Sequence, residues 1–406
     1  MHEKVIIAGA GPAGLMAAIS AAENGKNVTI LEYLPSPGRK LLASGAGKCN
    51  FTNMLSAPVM ADRFAPEQRR FVRPALMGFT PGMVRNFFAE RGVKHTLVDD
   101  FYCFPESGKA SDILNVLLNE AHALGVKIIC GCRIESLTVQ NDKITSVKCA
   151  DREYPCDYFI AAGGGPGFPK LGGRGSLDAA LSKIGVPMVR RTPALCGLKS
   201  SDPWLQNLAG IVLDDTTLTW DKHNITRGTL LFTGTGFSGP AALDISGRAA
   251  KLLDAGAVVT LKLNIAPERR REDWLELLNN ARQCNGKKAV RNIFTNVLPQ
   301  AVAHAICTLA GAGEQAIANL SKGCTNALLD NLTACQVNIN AVESWDKAMA
   351  STGGVALISI DSRTMQSKVL SNLYCAGEFM DVDGPCGGYN IQWALSSGKL
   401  AGRLGF

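Results

Sequence analysis

An apolar run that breaks into glycines spaced G-x-G-x-x-G and then resumes with helix formers leaves a chain few ways to fold. Residues 6–18 read IIAGAGPAGLMAA. Val5 to Ala8 have the composition of a buried strand, Gly9, Gly11 and Gly14 that of a tight turn, and Ala13 to Glu23 that of a following helix. Each glycine has its own reason: Gly9 permits the turn, Gly11 lets backbone approach a pyrophosphate, and Gly14 lets helix pack closely on strand. Pro12 and Ala13 open the helix, whose N-terminus presents free N–H groups and a positive dipole end to phosphate. A second strand, Asn27 to Leu31, ends at Glu32, about twenty residues beyond the turn, where a ribose hydroxyl needs an acceptor. An acid there argues against a 2′-phosphate and hence against NADP at this site.

The 406 residues allow two or three domains with substantial cores. A net charge of +7 is mild and spread along the chain, which gives nucleic acid little support as a stable partner. No run of roughly eighteen apolar residues occurs and no signal-peptide pattern opens the chain, so a cytoplasmic protein without a membrane partner is expected. The thirteen cysteines are scattered without a C-x-x-C, and the five histidines lack ligand spacing, so no metal is expected. Cys130 and Cys132 read as alternate residues of one strand.

Strand candidates at Lys4 to Ala8, Asn27 to Leu31, Lys127 to Ile129, Ile144 to Cys149 and Tyr158 to Ala162 alternate with helices, an α/β pattern over residues 1–185. From 186 to 265 short β-rich pieces such as GIVLDDTTLTW replace the helices, and 266–324 reads as helical. The expected division is a nucleotide domain of residues 1–185 and 350–406, a β-rich substrate domain of 186–265 and 325–349, and a helical insertion of 266–324. Towards the end, NLYCAGEFMDVDGPCGGYNIQWALSSGKLAGRL supplies a strand (Leu373 to Ala376), Gly377 and Glu378, a glycine-rich loop, and a helix from about Tyr389 to Leu404. The two strand-loop-helix units together read as the halves of a split FAD site, with Glu378 on the ribityl chain. A second G-x-G-x-x-G, GTGFSG at 234–239, is followed by a strand ending at Asn264 with no ribose acceptor and reads as a fixed turn.

The segments GRKLLASGAGKCNFTN (38–53), FPESGKASDIL (104–114), STGGV (351–355), TMQSK (364–368) and the C-terminal run extend the case over nearly the whole chain. With them the sequence resembles the two-dinucleotide-binding-domain flavoproteins grouped around aminoacetone oxidase, which also include a dehydro-bile-acid reductase. The resemblance implies an FAD-binding Rossmann-like domain split between the two ends of the chain, an inserted β-barrel-like domain and a helical domain. It implies that Arg39 and Lys40 lie towards the phosphate or adenosine side, and that Ser44, Gly45, Gly47, Lys48, Cys49 and Asn50 line the flavin. It further implies cofactor contacts from Gly163, Gly377, Gly387, Gly388, Tyr389, Asn390 and Ile391.

A flavin carries its own electron chemistry, so the protein needs to bind it, place a small-molecule substrate and tune the ring. The expected activity is hydride transfer between non-covalent FAD and an organic substrate. It is either reduction of an activated C=C bond of an enone or steroid-like compound, with NAD(P)H as a transient donor, or oxidation of an amine by dioxygen. A flavin-dependent tRNA-modifying role is the third reading, resting on RFAPEQRRFVR at 63–73. Two departures from the family pattern affect the substrate rather than the cofactor. TLLFTGTGFSGPA carries Thr229 and Gly234 where relatives have a glutamate and a histidine, which tilts the choice towards a reductase; and GGRGSL stands at 172–177. The sequence names no catalytic residue.

Overall fold

Five short strands make the central sheet, and in three of them, Lys4–Ala8, Tyr158–Ala161 and Leu373–Cys375, consecutive side chains are buried without alternation, as in strands covered on both faces. In the computed structural model, which describes residues 2–150, 152–172, 176–205, 207–221 and 224–405, their order is Leu373–Cys375, Tyr158–Ala161, Lys4–Ala8, Asn27–Leu31, Lys127–Ile129. All four pairings are parallel. Val5 to Ala8 are at most 5% exposed. The fold is mixed α/β of the Rossmann type.

Two compact units divide the chain, Met1–Thr192 with Ala348–Phe406 and Pro193–Lys347. In the first, the helix Pro12–Glu23 covers the sheet, and the C-terminal helix Tyr389–Gly402 packs against it. Small residues make that packing close: a β-carbon on Gly398 would fall 2.3 Å from the Ala13 carbonyl oxygen, and one on Gly402 2.3 Å from that of Ala17. Ser20 Oγ donates to Lys399 O at 2.8 Å across the same contact. Met188–Ala194 forms a two-stranded sheet with Ala350–Val355, so the chain departs and returns on adjacent strands.

Two further sheets are antiparallel. Thr52–Asn53, Tyr102–Pro105 and His95–Val98 form one, with Tyr102–Pro105 in the middle. Ile134–Gln140, Lys143–Cys149 and Arg152–Pro155 form the other, so the strand expected at 144–149 lies outside the parallel sheet. Cys130 and Cys132 do not share a strand. Lys127–Ile129 ends before them, and Gly131, at φ +72°, turns the chain so that Gly131 and Cys132 donate to Leu34 O and Glu32 O.

The second unit contains a closed six-stranded barrel, ordered Leu198–Ser200, Gly236–Ser238, Asn224–Thr233, Val212–Asp221, Val259–Asn264, Cys335–Val342. Alternating side chains such as Leu218, Phe232, Leu261 and Val337 fill it. Helices Arg271–Cys284, Gln300–Leu309 and Lys322–Ala334 surround the buried Trp274 and Phe294, whose ring centroids are 5.8 Å apart. GTGFSG falls in the tight antiparallel connection Thr233↔Gly236, which is barrel geometry and not the strand-to-helix turn of a nucleotide site.

The two glycines of the C-terminal helix generate a stability prediction. Gly398→Ala should lower the unfolding free energy by about 1–3 kcal/mol through overpacking, read as a lower urea midpoint with unchanged slope. An unchanged midpoint would show that the helices can part without cost.

Candidate functional site

The opening glycines separate by geometry into two classes. Gly9 sits at φ +99°, and a β-carbon there would meet Ala162 O at 2.5 Å; on Gly14 it would meet Gly9 O at 1.9 Å. Both are glycine because the protein backbone itself leaves no room. Gly11 differs: its φ is −80°, open to any residue, and a β-carbon would find no heavy atom within 4 Å. It N-caps the helix Pro12–Glu23 with no side chain satisfying the first-turn N–H groups, Pro12 taking the first helical position and buried Ala13 following. Nothing in the fold itself requires glycine there, and the space beside it adjoins an uncapped helix N-terminus, where an anionic group is stabilised.

Glu32 is 8% exposed and already oriented: Oε2 accepts from Ala10 N at 2.7 Å and Oε1 from Leu34 N at 2.8 Å. It borders a solvent-open groove lined also by Gly9, Tyr33, Cys132, Gly163 and Asp178. A carboxylate held by two backbone donors retains lone pairs for a hydroxyl partner.

Lys40 and Glu378, 338 residues apart, form an ion pair, Nζ lying 2.7 Å from Oε2 and 3.0 Å from Oε1. Ser351 adds its N–H at 2.8 Å and its Oγ at 3.0 Å to the same carboxylate. Burial opposes the charge on Glu378, yet Lys40, Arg191 and the Ser351 N–H hold its carboxyl below the ordinary range. The Lys40 ammonium, read from sequence as a phosphate-side group, thus lies on Glu378, and Arg39 is half-buried beside it in the helix Arg39–Ala43.

Arg191 was not foreseen, since VRRTPA spells no motif. It grips Asp178 with two bonds, Nε to Oδ2 at 2.6 Å and Nη2 to Oδ1 at 3.0 Å, and donates to the carbonyls of Gly353, Glu378 and Phe379 at 3.1–3.3 Å. That fastens the Gly377–Phe379 turn to the strand Ala350–Val355. Gly377 itself, at φ +68°, donates its N–H to Ser397 Oγ at 2.9 Å. Gly165 was missed as well: a β-carbon there would strike Ser351 Oγ at 1.9 Å and Glu378 Oε1 at 2.4 Å. Of GGRGSL, positions 173–175 lie outside the described residues.

The segment from Ser44 to Asn50 turns sharply, with Gly45, Ala46, Gly47 and Cys49 all at positive φ, and it is closed by its own backbone, Lys48 N donating to Gly45 O at 3.1 Å and Cys49 N to Ser44 O at 3.0 Å. Ser44 Oγ donates to Leu41 O at 2.6 Å, and Lys48 is exposed. Burial pushes the Cys49 thiol up to about 12, which keeps it protonated and packed. Asn50 turns its amide nitrogen to the carbonyls of Thr52 at 2.7 Å and Cys103 at 3.2 Å.

The next residues tie this segment to the C-terminal one. Thr52 Oγ1 donates to Gln392 Oε1 at 2.6 Å and Asn53 Nδ2 to Gly387 O at 2.9 Å. Gly387 and Gly388 have φ +111° and +84°, and a β-carbon on Gly388 would lie 2.6 Å from Thr52 O. Asn390 closes the loop by giving and taking a 2.8 Å bond with the backbone of Gly384, Tyr389 packs edge-on against Phe64, and Ile391 packs against the core. Gln68 braces the loop from the helix Pro66–Gly78 through Asp381 O and Asp383 Oδ1, both at 3.1 Å. Gly388, which has no side chain to bond the first turn, caps the fourteen-residue helix Tyr389–Gly402.

A family model described as the HI0933-like protein Rossmann domain matches residues 3–404. The chain belongs to the HI0933-like Rossmann family. This HI0933-like chain is 32% identical over 401 residues to a ribosomal RNA dihydrouridine synthase of Haemophilus influenzae, covering 98% of this chain and 96% of that one. It is 29% identical over 408 residues to a 3-dehydro-bile acid delta(4,6)-reductase of Clostridium scindens, covering 98% of each. Among solved structures, the 3-ketosteroid delta1-dehydrogenase of Sterolibacterium denitrificans superposes with a TM-score of 0.51 at 12% identity, over 99% of both chains. That likeness is one of fold, the Rossmann-type fold of flavoprotein oxidoreductases. Among the described residues, no helix of this HI0933-like protein is long and apolar enough to cross a membrane.

The Lys40–Glu378 pair sets a pH test. Because the folded carboxyl titrates below its ordinary value, the pair's stabilisation is present above that range and disappears as pH falls through the folded pKa. Lys40→Met should therefore cost about 3 kcal/mol at neutral pH by stranding a shielded carboxylate, with the difference from wild type shrinking below roughly pH 4. Denaturant unfolding of both proteins across pH 3–8 measures it. A pH-independent difference would mean Lys40 acts through packing alone.

Proposed function

We propose that this protein binds FAD non-covalently and uses it to reduce a carbon–carbon double bond conjugated to a carbonyl. Gly11 carries the cofactor part of the reading, because the fold leaves open the volume a side chain there would occupy, at a helix N-terminus and within one strand-turn of Glu32. Glu32 would hold the ribose, the helix Pro12–Glu23 the pyrophosphate, and the turn at Gly45–Cys49 with the loop Gly387–Gly388 the flavin half. When bound, FAD supplies the hydride and accepts electrons from a donor such as NADH or NADPH. The uncapped N-terminus of Tyr389–Gly402 would favour a negative charge placed at it, as the reduced ring carries.

The substrate part rests on chemistry common to the relatives. Turning uridine into dihydrouridine and reducing a delta-4 or delta-6 bond of a 3-oxo steroid both add two electrons and protons across a double bond conjugated to a carbonyl. We take a small cyclic enone as the first reading. A uracil within ribosomal RNA is the second, favoured by the 32% identity to an enzyme named for that reaction and by exposed Arg69, Arg70 and Arg73 on the helix Pro66–Gly78.

Purified protein should be yellow and release intact FAD on denaturation. Gly11→Val should lose the cofactor while keeping its melting temperature in the FAD-free state, and Glu32→Ala should weaken FAD by about 1.5–3 kcal/mol, the contribution of a hydrogen bond to a charged acceptor. Normal FAD affinity in Gly11→Val would remove the cofactor reading.

Anaerobic mixing tests the reaction. Bleaching by NADH or NADPH and reoxidation by a 3-oxo-delta-4 steroid is the expected result, and reoxidation only by unmodified ribosomal RNA would select the second reading. Bleaching by aminoacetone, with peroxide on admitting air, would instead make the protein an amine oxidase.

A further inference from the structure

The middle strand Tyr102–Pro105 has one face that the cofactor reading does not use. Cys103 and Pro105 are buried, while Tyr102 and Phe104 point to the other face and are half-exposed. Those two rings lie against glycines of both segments assigned above to the flavin half. A β-carbon on Gly387 would come 3.0 Å from the Tyr102 ring and 3.5 Å from that of Phe101; one on Gly45 would come 3.4 Å from the Phe104 ring. Cross-strand partners share a face, so Asn53 and Val98 flank Tyr102, and Thr96 flanks Phe104. The Asn53 amide is held on Gly387 O, and Arg85 Nη1 holds Asn53 O at 2.7 Å, so the face has a fixed station beside the loop. Val98 is 45% exposed, and the turn beyond it places two non-glycine residues, Asp99 and Asp100, at φ +53° and +52°. That costly conformation sets Phe101 edge-on to Tyr102, with centroids 4.9 Å apart.

An aromatic strip bridging two glycine segments, open on one side, is a surface for a flat ring. We infer that Tyr102 and Phe104 form the wall on which the planar conjugated ring of the substrate packs. The inference rests on the FAD-reductase reading and adds the substrate's shape: a flat, cyclic, carbonyl-bearing ring, whether free as in a steroid enone or borne by RNA as uracil. Aromatic stacking is tolerant of ring identity, so the wall itself sets planarity and depth, while polar groups elsewhere set the choice among rings.

The test uses FAD-loaded protein in the oxidised state, so that binding is measured without turnover. A 3-oxo-delta-4 steroid and, separately, a uridine-containing ribosomal RNA fragment are titrated while following the flavin absorption band; the arm that binds wild type names the ring's source. For that ligand, Tyr102→Leu and Phe104→Leu should each raise Kd roughly tenfold, with Tyr102→Phe near wild type. FAD content and melting temperature should stay unchanged in all three. Leucine keeps the bulk, and Phe104→Leu keeps the inference testable should Tyr102→Leu not fold. Leucine variants that bind either ligand within twofold of wild type would overturn the wall while leaving the flavoprotein reading intact. Loss of FAD from them would overturn it too, by placing the rings on the cofactor. A wild type that binds neither ring refutes it outright, and a wild type that takes up no FAD refutes the underlying reading instead.

Discussion

The close crossing of the first and last helices is the contact on which the rest of the nucleotide-binding unit depends. Ala13 and Ala17 on one helix face Gly398 and Gly402 on the other, near enough that a single added carbon would strike a carbonyl oxygen. Such an approach brings two helix N-termini, those of Pro12–Glu23 and Tyr389–Gly402, into one framework although they are separated by most of the chain. Trp393 Nε1 donates to Gly377 O at 3.2 Å, and the same helix receives Gly377 N on Ser397 Oγ, so the turn bearing Glu378 is hung from the helix that makes the crossing.

Charge is arranged around that crossing with the same economy. Glu378 carries a negative charge into a shielded place and is met by a lysine, a backbone N–H and, through its own carbonyl, an arginine. Arg191 in turn is matched by Asp178, a residue of the groove beside Glu32. A buried ion pair of this kind adds little to stability compared with apolar packing, but it fixes geometry, because each partner is costly to strand. The two ends of the site are therefore coupled through rigid polar contacts rather than through a flexible loop.

Much of this was legible from spacing alone. The strand Lys4–Ala8, the helix after it and the position of Glu32 at the end of the next strand follow a local rule, in which glycine positions and apolar runs fix the backbone within thirty residues or so. What spacing could not separate was why each glycine is there: Gly9 and Gly14 answer to neighbouring backbone, Gly11 to empty space, and only three-dimensional distances make the distinction. The family resemblance puts Lys40 near phosphate, and its partner 338 residues away leaves no local signal. Arg191 left no trace because its acceptors are mostly backbone carbonyls, which any sequence supplies. Cys130 and Cys132 misled for a related reason, since a short apolar run continues past Ile129 while Gly131 breaks the strand. Residue type alone does not reveal that the amides of Asn50 and Asn390 also hold backbone, at Thr52 and Cys103 for the first and at Gly384 for the second.

The order of the strands has a consequence for how the protein is made. Leu373–Cys375 is an edge of the parallel sheet and pairs with Tyr158–Ala161, while Tyr158–Ala161 pairs with Lys4–Ala8. Between these partners the chain makes an excursion, Pro193–Lys347, with its own closed barrel and core. As the ribosome works from the N-terminus, that excursion can complete itself while the sheet still lacks its edge and the first helix still lacks its partner. The nascent chain thus passes through a long interval with Ala13 and Ala17 uncovered and the second glycine loop not yet synthesised. A pocket built from both glycine segments exists only once residues 373–402 have been made, so a cofactor that needs both halves is captured after the excursion and not before it.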